Sequence, residues 1–155
     1  MDLYLLRHAE AGEAPRDDDR ELTEHGHKQA RAVASGLAAL APRLDALLCS
    51  PLPRAIQTAN PAATALRLSI EQVEALVSGR AAGDVLDDLA GRGSSNRVLL
   101  VGHEPQLSQL ALHLTGGRVH MRKAMLARIT VLTLDPPYGD LEWLLSWRHL
   151  ERIGK

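Results

Sequence analysis

Three short segments of the chain carry arginine and histidine side chains of the kind that bind and attack phosphate groups. The first is Arg7-His8, the second is Arg54 and the third is Gly102-His103. Each follows an apolar run typical of a buried strand, either directly or after a short turn. Guanidinium groups give planar, multidentate donors for phosphate oxygens, and a neutral histidine can attack phosphorus as a nucleophile. The residue types therefore indicate phosphoryl chemistry, provided that the fold brings the three segments together.

The strands that must position these residues are predicted from four short apolar runs: Asp2 to Arg7, Asp45 to Cys49, Ser69 to Val73 and Arg97 to Val101. Helical segments lie between them, and this alternation predicts a three-layer α/β/α sandwich with a mostly parallel central sheet. The carboxyl ends of parallel strands lie along one rim, where ligands bind. We therefore expect Arg7, His8, Arg54 and His103 to converge at that rim.

The helices are predicted from apolar residues at helical spacing and from their end signals. The first predicted helix is capped by Thr23 and ends at Ala41-Pro42, and the second runs from Pro53 to about Leu66. The third lies around Asp84 to Ala90, and the fourth runs from Pro105 to Gly116-Gly117.

The C-terminal part has a different pattern. Met125 to Leu134 and Leu141 to Trp147 have strand character and are separated by the turn-rich residues 135–140. They predict a hairpin that adds antiparallel pairing at one edge of the sheet. Trp143 and Trp147, at even spacing, are expected to share one face of the last strand.

Composition limits the class of protein. The chain has 155 residues, 45% of them hydrophobic and 24% charged, which predicts a single globular domain over residues 1–155. A net charge of −1 gives no reason to expect a nucleic-acid or membrane partner. Cys49 is the only cysteine and lies in an apolar run, so we interpret it as a small buried hydrophobic residue. With no signal peptide or membrane span in the sequence, we expect a cytoplasmic monomer.

Four motifs resemble those of the histidine phosphatase superfamily, also called the phosphoglycerate mutase-like family. They are Arg7-His8-Ala9, Leu22-Thr23 with Gly26 and Gln29-Ala30, the segment from Ser50 to Ala59 (Ser-Pro-Leu-Pro-Arg-Ala-Ile-Gln-Thr-Ala), and Val101-Gly102-His103. They occur in the order typical of the family. The short chain and the sequence Gly102-His103-Glu104-Pro105 are similar to the SixA-like phosphohistidine phosphatases in particular.

This resemblance implies the fold of the family and a role for each motif residue. His8 would be the nucleophile that forms a phosphohistidine intermediate, kept neutral by the neighbouring arginines. Arg7, Arg54 and His103 would bind the phosphoryl oxygens and stabilise the transition state, and Arg20 is a further candidate for substrate binding. The resemblance implies no cofactor and no metal, since guanidinium and imidazolium groups would neutralise the charge.

Two positions depart from the family pattern. Ala9 replaces the usual glycine, so we expect an ordinary backbone conformation there. Ala75 stands where many members have a glutamate that acts as general acid, with Glu74 adjacent. A missing acid favours a phosphohistidine substrate, because imidazole leaves more easily than an alkoxide. Glu74, Asp17 from the acidic loop and Glu10 remain candidate proton donors.

The sequence thus predicts a metal-independent phosphatase that removes phosphate from a phosphohistidine of a partner protein, as in phosphorelay signalling. Two alternatives remain open: a phosphatase of small phosphate esters or sugar phosphates, and a phosphate-binding regulatory module without turnover.

Several polar residues are expected to have ordinary structural or surface roles. The acidic residues 17–19 are interpreted as a solvated loop, and the pair His25 and His27 as solvent-facing rather than metal-binding. The basic patch after the Gly-Gly turn is interpreted as a solvated loop, with steering of a phosphorylated protein as the alternative. This patch consists of Arg118, Arg122 and Lys123. Surface or structural positions are also expected for two further histidines, His113 and His149.

Overall fold

The central element of the fold is a six-stranded sheet with the strand order β3-β2-β4-β1-β5-β6. The structure is a computed structural model, and it describes residues 1–40, 43–93 and 96–155. Strands β1 to β4 are parallel, β5 pairs antiparallel with β1, and β6 pairs antiparallel with β5. This confirms the predicted mixed sheet. The strands are β1 (Asp2–Arg7), β2 (Ala46–Cys49), β3 (Ile70–Gln72), β4 (Arg97–Gly102), β5 (Leu126–Leu134) and β6 (Pro137–Leu145).

Five helices cover the two faces of this sheet: α1 (Glu24–Leu40), α2 (Pro53–Leu66), α3 (Ala82–Gly91), α4 (Gln106–Thr115) and α5 (Trp147–Ile153). Side chains of β1 alternate between the two layers. Tyr4 and Leu6 pack with residues of α1, α2 and α5, whereas Leu3 and Leu5 pack with residues of α3 and α4. This alternation confirms the three-layer α/β/α arrangement. Within the described ranges, no helix has the length and apolar character that a membrane crossing requires.

The carboxyl ends of β1, β4 and β2 are neighbours because these three strands are adjacent in the sheet. Main-chain hydrogen bonds continue past the strand ends. The His8 N–H donates to the Gly102 carbonyl at 3.0 Å, and the Ser50 N–H donates to the Val101 carbonyl at 3.0 Å. The three segments that follow the strands are therefore held in a fixed relation along one rim.

The C-terminal region differs from the prediction. The turn between the last two strands is only Asp135-Pro136, and β6 ends at Leu145. Ser146 is the N-cap of helix α5, which the sequence analysis missed and which begins at Trp147. The prediction that the two tryptophans share a strand face was therefore wrong: Trp143 packs edge-on against Tyr4 in β1. The helix is only two turns long and is defined by its cap and its packing, which a count of alternating residues does not detect.

Most other boundaries agree to within one or two residues. Helix α4 begins at Gln106, with Pro105 as its N-cap, and ends at Gly116 in the left-handed conformation. The predicted closure of α1 at Ala41-Pro42 lies outside the described residues. Cys49 is fully buried, and burial raises the pKa of its thiol to about 12, which confirms its interpretation as a small core residue.

The start of α1 is locked onto the loop that follows His8. The Thr23 hydroxyl caps the helix by accepting from the Gly26 N–H at 3.0 Å, and the Thr23 N–H donates to the Glu10 carbonyl at 3.0 Å. Gly26 lies directly against that same carbonyl, so a Cβ at this position would collide with the Glu10 oxygen. Only glycine allows this approach of helix and loop.

We expect Gly26→Ala to lower the free energy of unfolding by about 2 kcal/mol, because backbone must move to make room for the new methyl group. Gly83→Ala is the matched control, since a Cβ on Gly83 in α3 would meet no atom within 4 Å. That change is expected to raise the free energy of unfolding by about 0.5 kcal/mol through helix propensity. Urea denaturation of the three proteins measures both effects. Equal stabilities for the two variants would contradict the close contact at Gly26.

Candidate active site

Two histidines face each other at the rim formed by the strand ends. His8 follows β1 and His103 follows β4, and their ring centroids are 5.1 Å apart. Both are almost completely buried, with 5% and 2% of their surface exposed. The structure therefore brings together the two histidines that the sequence singled out.

The tautomer of His8 follows from its hydrogen bond. The Nδ1 atom lies 2.7 Å from the carbonyl oxygen of Ala9, and a carbonyl can only accept. Nδ1 therefore carries the proton, and the lone pair is on Nε2. The Ala9 N–H in turn donates to the Thr58 hydroxyl at 2.9 Å. Among the described non-glycine residues, only Arg67 and Ala124 have a left-handed φ, so the expected ordinary backbone at Ala9 is confirmed.

Arg54 lies in the first turn of α2 with its side chain only 3% exposed. Its two terminal nitrogens bind the acidic loop: Nη1 donates to the Asp17 carbonyl oxygen at 2.7 Å, and Nη2 donates to the Asp17 carboxylate at 3.0 Å. The guanidinium group is thus held in place from one side by a single residue.

Asp17 also binds Arg20, whose Nη1 donates to the other carboxylate oxygen at 3.0 Å. Arg20 is itself fixed by a 2.7 Å hydrogen bond from Nε to the Gly12 carbonyl. The hydrogen bond from Arg20 is the main cause of the lowered pKa of Asp17, and the charge of Arg54 lowers this pKa further. Residues 17–19 are exposed, as expected for a solvated loop. Asp17 has a further role that the sequence did not indicate, since it joins the two arginines.

Arg7 approaches the rim from the end of β1. Its Nη1 donates to the Met121 carbonyl oxygen at 3.0 Å. Burial lowers the pKa of Arg7, and the nearby Glu104 carboxylate opposes that effect. Glu104 is held in turn by Ser108, which donates its hydroxyl proton at 2.5 Å and its N–H at 3.1 Å. Arginine keeps its charge at any physiological pH, so Arg7 brings a second permanent positive charge to the rim.

His103 is held by Ser50, a fully buried residue in the turn after β2. The distance from Nε2 to the Ser50 hydroxyl oxygen is 2.8 Å. The other ring nitrogen, Nδ1, is buried and has no hydrogen-bond partner among the described residues. The same holds for Nε of Arg7 and Nε of Arg54. Buried polar atoms are nearly always paired in proteins, so three unpaired nitrogens, at or after the ends of three neighbouring strands, suit an anionic ligand.

The histidines are neutral in the free protein. Burial lowers the pKa of His8 to about 4, and Arg54 and Arg7 add to the effect. Burial, followed by the proximity of His8, lowers the pKa of His103 to about 3. Desolvation is thus a larger cause than the neighbouring arginines, to which the sequence analysis attributed the neutral form of His8. The imidazolium form expected for His103 is not the form present in the free site at neutral pH.

These lowered pKa values make stability depend on pH. An unfolded histidine binds its proton at a pKa near 6.5, whereas folded His8 binds it only near pH 4. The unfolded state therefore holds more protons between these values, and the free energy of unfolding should fall as the pH drops from 6.5 to 4, by on the order of 3 kcal/mol for His8. Guanidinium denaturation at several pH values, compared between wild type and His8→Gln, measures this. If both proteins lost equal stability, the buried neutral His8 would be contradicted.

The candidate proton donors are spread around the rim. Glu74 lies exposed in a short 3-10 helix, Glu74–Leu76, after β3, and its side chain makes no hydrogen bond to a described residue. The carbonyl of the adjacent Ala75 accepts from the buried Gln106 amide at 2.7 Å. Glu10 accepts a hydrogen bond from the Thr23 hydroxyl at 2.8 Å. Asp17, with its lowered pKa, is a poor proton donor at neutral pH.

Several supporting residues were quoted in the sequence motifs but received no role there. Gln57 accepts from the Leu22 N–H at 2.7 Å, and Gln29 accepts from the Glu10 N–H at 2.9 Å. Thr58 donates to the Arg54 carbonyl at 2.7 Å while it accepts from Ala9. These side chains tie the loop after His8 to α1 and α2. Their presence in the motifs was a signal, but their partners could be known only from the fold.

Three other histidines have surface positions or local partners of their own. His25 is exposed and stacks edge-on against Trp147, His113 is exposed on α4, and His149 pairs with the Ser146 hydroxyl. In the described part of the chain, no three His, Cys, Asp or Glu residues are placed to hold a metal ion.

Comparison with known proteins agrees with this geometry. The sequence profile of the histidine phosphatase superfamily (branch 1) matches residues 3–78. An uncharacterized protein of Picosynechococcus sp. is 33% identical over 134 residues, which cover 80% of this chain and 81% of that protein. The phosphohistidine phosphatase SixA of Escherichia coli (strain K12) is 28% identical over 153 residues, 94% of each chain.

Structural similarity extends over almost the whole molecule. The structure of the protein histidine phosphatase SixA complexed with tungstate superposes with a TM-score of 0.87 at 27% identity, covering 97% of this chain and 99% of that one. The fold expected from the motifs is therefore confirmed. The C-terminal hairpin and α4 lie outside the residues matched by the sequence profile but within this structural match.

Proposed function

The chain belongs to the histidine phosphatase superfamily (branch 1), and on that premise we propose that it is a phosphohistidine phosphatase with His8 as its nucleophile. Its natural substrate would be a phosphohistidine on a partner protein. The similarity to SixA proteins over nearly the full length supports this substrate class, and the site geometry supports the mechanism.

The observation that carries the proposal is the fixed tautomer of His8. The Ala9 carbonyl keeps the proton on Nδ1, so Nε2 offers a lone pair. Because the pKa of His8 is lowered to about 4, this nitrogen is unprotonated at neutral pH without any base to remove a proton. A neutral imidazole in a buried, cation-lined site is the state that an attack on a phosphoryl group requires.

The reaction has two steps. His8 Nε2 attacks the phosphorus of a phosphohistidine that is protonated on its other ring nitrogen. The N–P bond to His8 forms, and the P–N bond to the substrate breaks with its electron pair on the leaving nitrogen, which releases neutral imidazole. Water then attacks the phosphorus of phosphorylated His8, releasing inorganic phosphate and regenerating the neutral imidazole. Arg7, Arg54 and His103 bind the phosphoryl oxygens in both steps. The two guanidinium charges and the N–H groups of all three residues stabilise the charge that develops.

Ser50 and Asp17 act as positioning residues in this mechanism. The Ser50 oxygen accepts from the Leu52 N–H at 3.3 Å, which leaves its proton to be donated to Nε2 of His103. His103 would then carry its own proton on the unpaired Nδ1 and donate it to a phosphoryl oxygen. Asp17 holds the Arg54 guanidinium from the side, and Arg20 fixes Asp17.

The weak provision for a general acid supports a phosphohistidine over an ester. Ala75 has no proton to donate, Glu74 is exposed, and Asp17 is ionised by its arginine partners. An alkoxide leaving group needs a proton in the transition state, whereas a phosphohistidine that is already protonated on its other ring nitrogen releases neutral imidazole and needs no proton from the enzyme. An active site of this kind should therefore discriminate strongly between P–N and P–O bonds.

Phosphate release from a phosphohistidine peptide and from a phosphoserine peptide of otherwise the same sequence, both with EDTA, tests the proposal. We expect kcat/KM for the phosphohistidine peptide to exceed that for the ester by at least about 100-fold, since the site has no well-placed acid to protonate the serine alkoxide. Comparable turnover of the ester would point to a small-ester phosphatase and to a donor at Glu74 or Glu10. Absence of turnover with either substrate would favour a phosphate-binding regulatory module.

A further inference from the structure

A groove runs along the outer side of α4, next to the candidate active site. It has a volume of about 360 Å³. Pro105, Leu112 and Val119 give it an apolar lining, and Arg118 and His120 lie at its edge. Leu112 is 38% exposed, and Val119 beside it in the groove is half-buried. We refer to this surface, together with the following residues Arg122 and Lys123, as the basic groove.

The basic groove is directly connected to the residues that bind phosphate. Ser108, which also lines the groove, accepts from the Met121 N–H at 3.2 Å, and Met121 accepts from Arg7 through its carbonyl. One residue beyond Lys123, the Ala124 N–H donates to the His8 carbonyl at 3.2 Å. A molecule whose phosphoryl group sits at His8 therefore has the basic groove beside it.

The charge of this surface is mostly positive, with the Glu104 carboxylate, bound to the Ser108 hydroxyl, as the acidic group next to it. Between Pro105 and Leu134 the chain contains Arg118, Arg122, Lys123 and Arg128 but no aspartate or glutamate. Arg128 is paired with Asp2, whereas the other three are exposed and form no ion pair with any described residue. The whole chain has a net charge of −1, so this excess is local. Unpaired surface charges of one sign next to a site attract an oppositely charged partner and orient it.

We propose that the basic groove docks an acidic segment of the phosphorylated protein substrate, with one aliphatic side chain of that segment packed on Leu112 and Val119. This inference rests on the proposed function and specifies its partner. Carboxylates of the segment pair with Arg118, Arg122 and Lys123, while the aliphatic anchor fills the apolar part of the groove. Neither feature is needed to hold a phosphoryl group, which Arg7, Arg54 and His103 already surround. The groove therefore selects the protein that carries the phosphate.

Two fluorescein-labelled peptides test this docking without any need for turnover. Both contain an unphosphorylated histidine and a leucine anchor, one among glutamates and the other among lysines. Fluorescence anisotropy should give a Kd for the acidic peptide at least about 10-fold below that for the basic one at low salt, a preference that weakens as salt is added. The triple variant Arg118→Glu, Arg122→Glu, Lys123→Glu should lose the preference, and Leu112→Asn, which removes the apolar contact without adding a charge, should weaken binding of both peptides.

The matched control carries the same change of charge on another surface. Arg31, Arg43 and Arg67 are exposed, and the last two precede β2 and β3, at the end of the sheet opposite the rim. Their triple replacement by glutamate should leave the difference between the two peptides nearly intact. Equal binding of both peptides to the wild type, or equal loss in both triple variants, would overturn the proposal. A dimer that the groove variants dissociate would also overturn it, since a second copy would then occupy the surface.

Turnover separates this proposal from the proposed function. The substrates are the phosphorylated forms of the same two peptides and free phosphohistidine. The groove variants should have a KM for the acidic peptide about 10-fold higher than that of the wild type. Their KM for free phosphohistidine should be unchanged, since the groove contacts only the segment. Hydrolysis of all three substrates with equal efficiency would leave the phosphatase standing and reject the docking. Hydrolysis of none would reject the proposed function, and the anisotropy result would then decide the docking by itself.

Discussion

Replacing His8 with alanine is expected to lower kcat/KM for every phosphate substrate by at least about 10⁴-fold, because the variant has no nucleophile to form the covalent intermediate. The remaining cations could still bind phosphate, so KM should change far less than kcat. The acid-labile phosphoryl group that wild type acquires from a phosphohistidine peptide should be absent from the variant. Rapid quench with labelled substrate, followed by separation of the protein, measures both the rate and the labelling.

The matched control for this variant is His113→Ala, which removes an exposed histidine on α4. It should keep full activity and the same label. Loss of the buried, neutral His8 could also disturb the fold, so the circular dichroism spectrum and the phosphate affinity of His8→Ala should be compared with wild type. A His8→Ala protein that folds, binds phosphate and retains even one hundredth of the activity would require a different nucleophile.

The location of the site could be predicted from the sequence because two simple regularities determine it. Continuous apolar runs at Leu3 to Leu6 and Val98 to Val101 indicate central parallel strands, and the polar residues that follow such strands meet at one rim. The strand order places β4 between β1 and β2, so His8, His103 and Arg54 follow three neighbouring strands. Only the order in which the strands lie had to come from the structure.

Contacts made over long sequence distances could not be predicted. Asp17 pairs with Arg54, a residue 37 positions away, and nothing in an acidic run distinguishes the aspartate that will do so. The protonation state of His8 was expected to depend on nearby arginines, but burial is the larger cause, and burial is a property of the completed fold. Helix α5 was missed for the same reason, since its leucine, Leu150, is fixed by contact with Gly36 of α1.

Arg54 combines a fixed position with an unpaired donor, and this predicts its contribution to catalysis. Its side chain is almost fully buried, both terminal nitrogens are held by Asp17, and Nε has no partner among the described residues. A guanidinium group that is already oriented before substrate arrives stabilises developing charge without reorganisation. We therefore expect Arg54→Gln to lower kcat/KM by about 10³-fold, mostly through kcat. Arg54→Lys should recover only part of that loss, since its ammonium cannot keep the planar contacts.

Two comparisons separate this role from a general effect of removing a buried arginine. Arg92→Gln removes an arginine that is likewise held by carboxylates, those of Asp88 and Glu71, but lies at the end of α3. It should lower the melting temperature without lowering kcat.

Asp17→Asn keeps the carbonyl contact to Arg54 and loses only a partly exposed charge, so its kcat should fall by no more than about 10-fold. If free guanidinium restored activity to Arg54→Ala, the charge itself would be the missing component. If Arg54→Gln stayed within 10-fold of wild type, the buried guanidinium would have to be assigned to the stability of the loop around Asp17 instead.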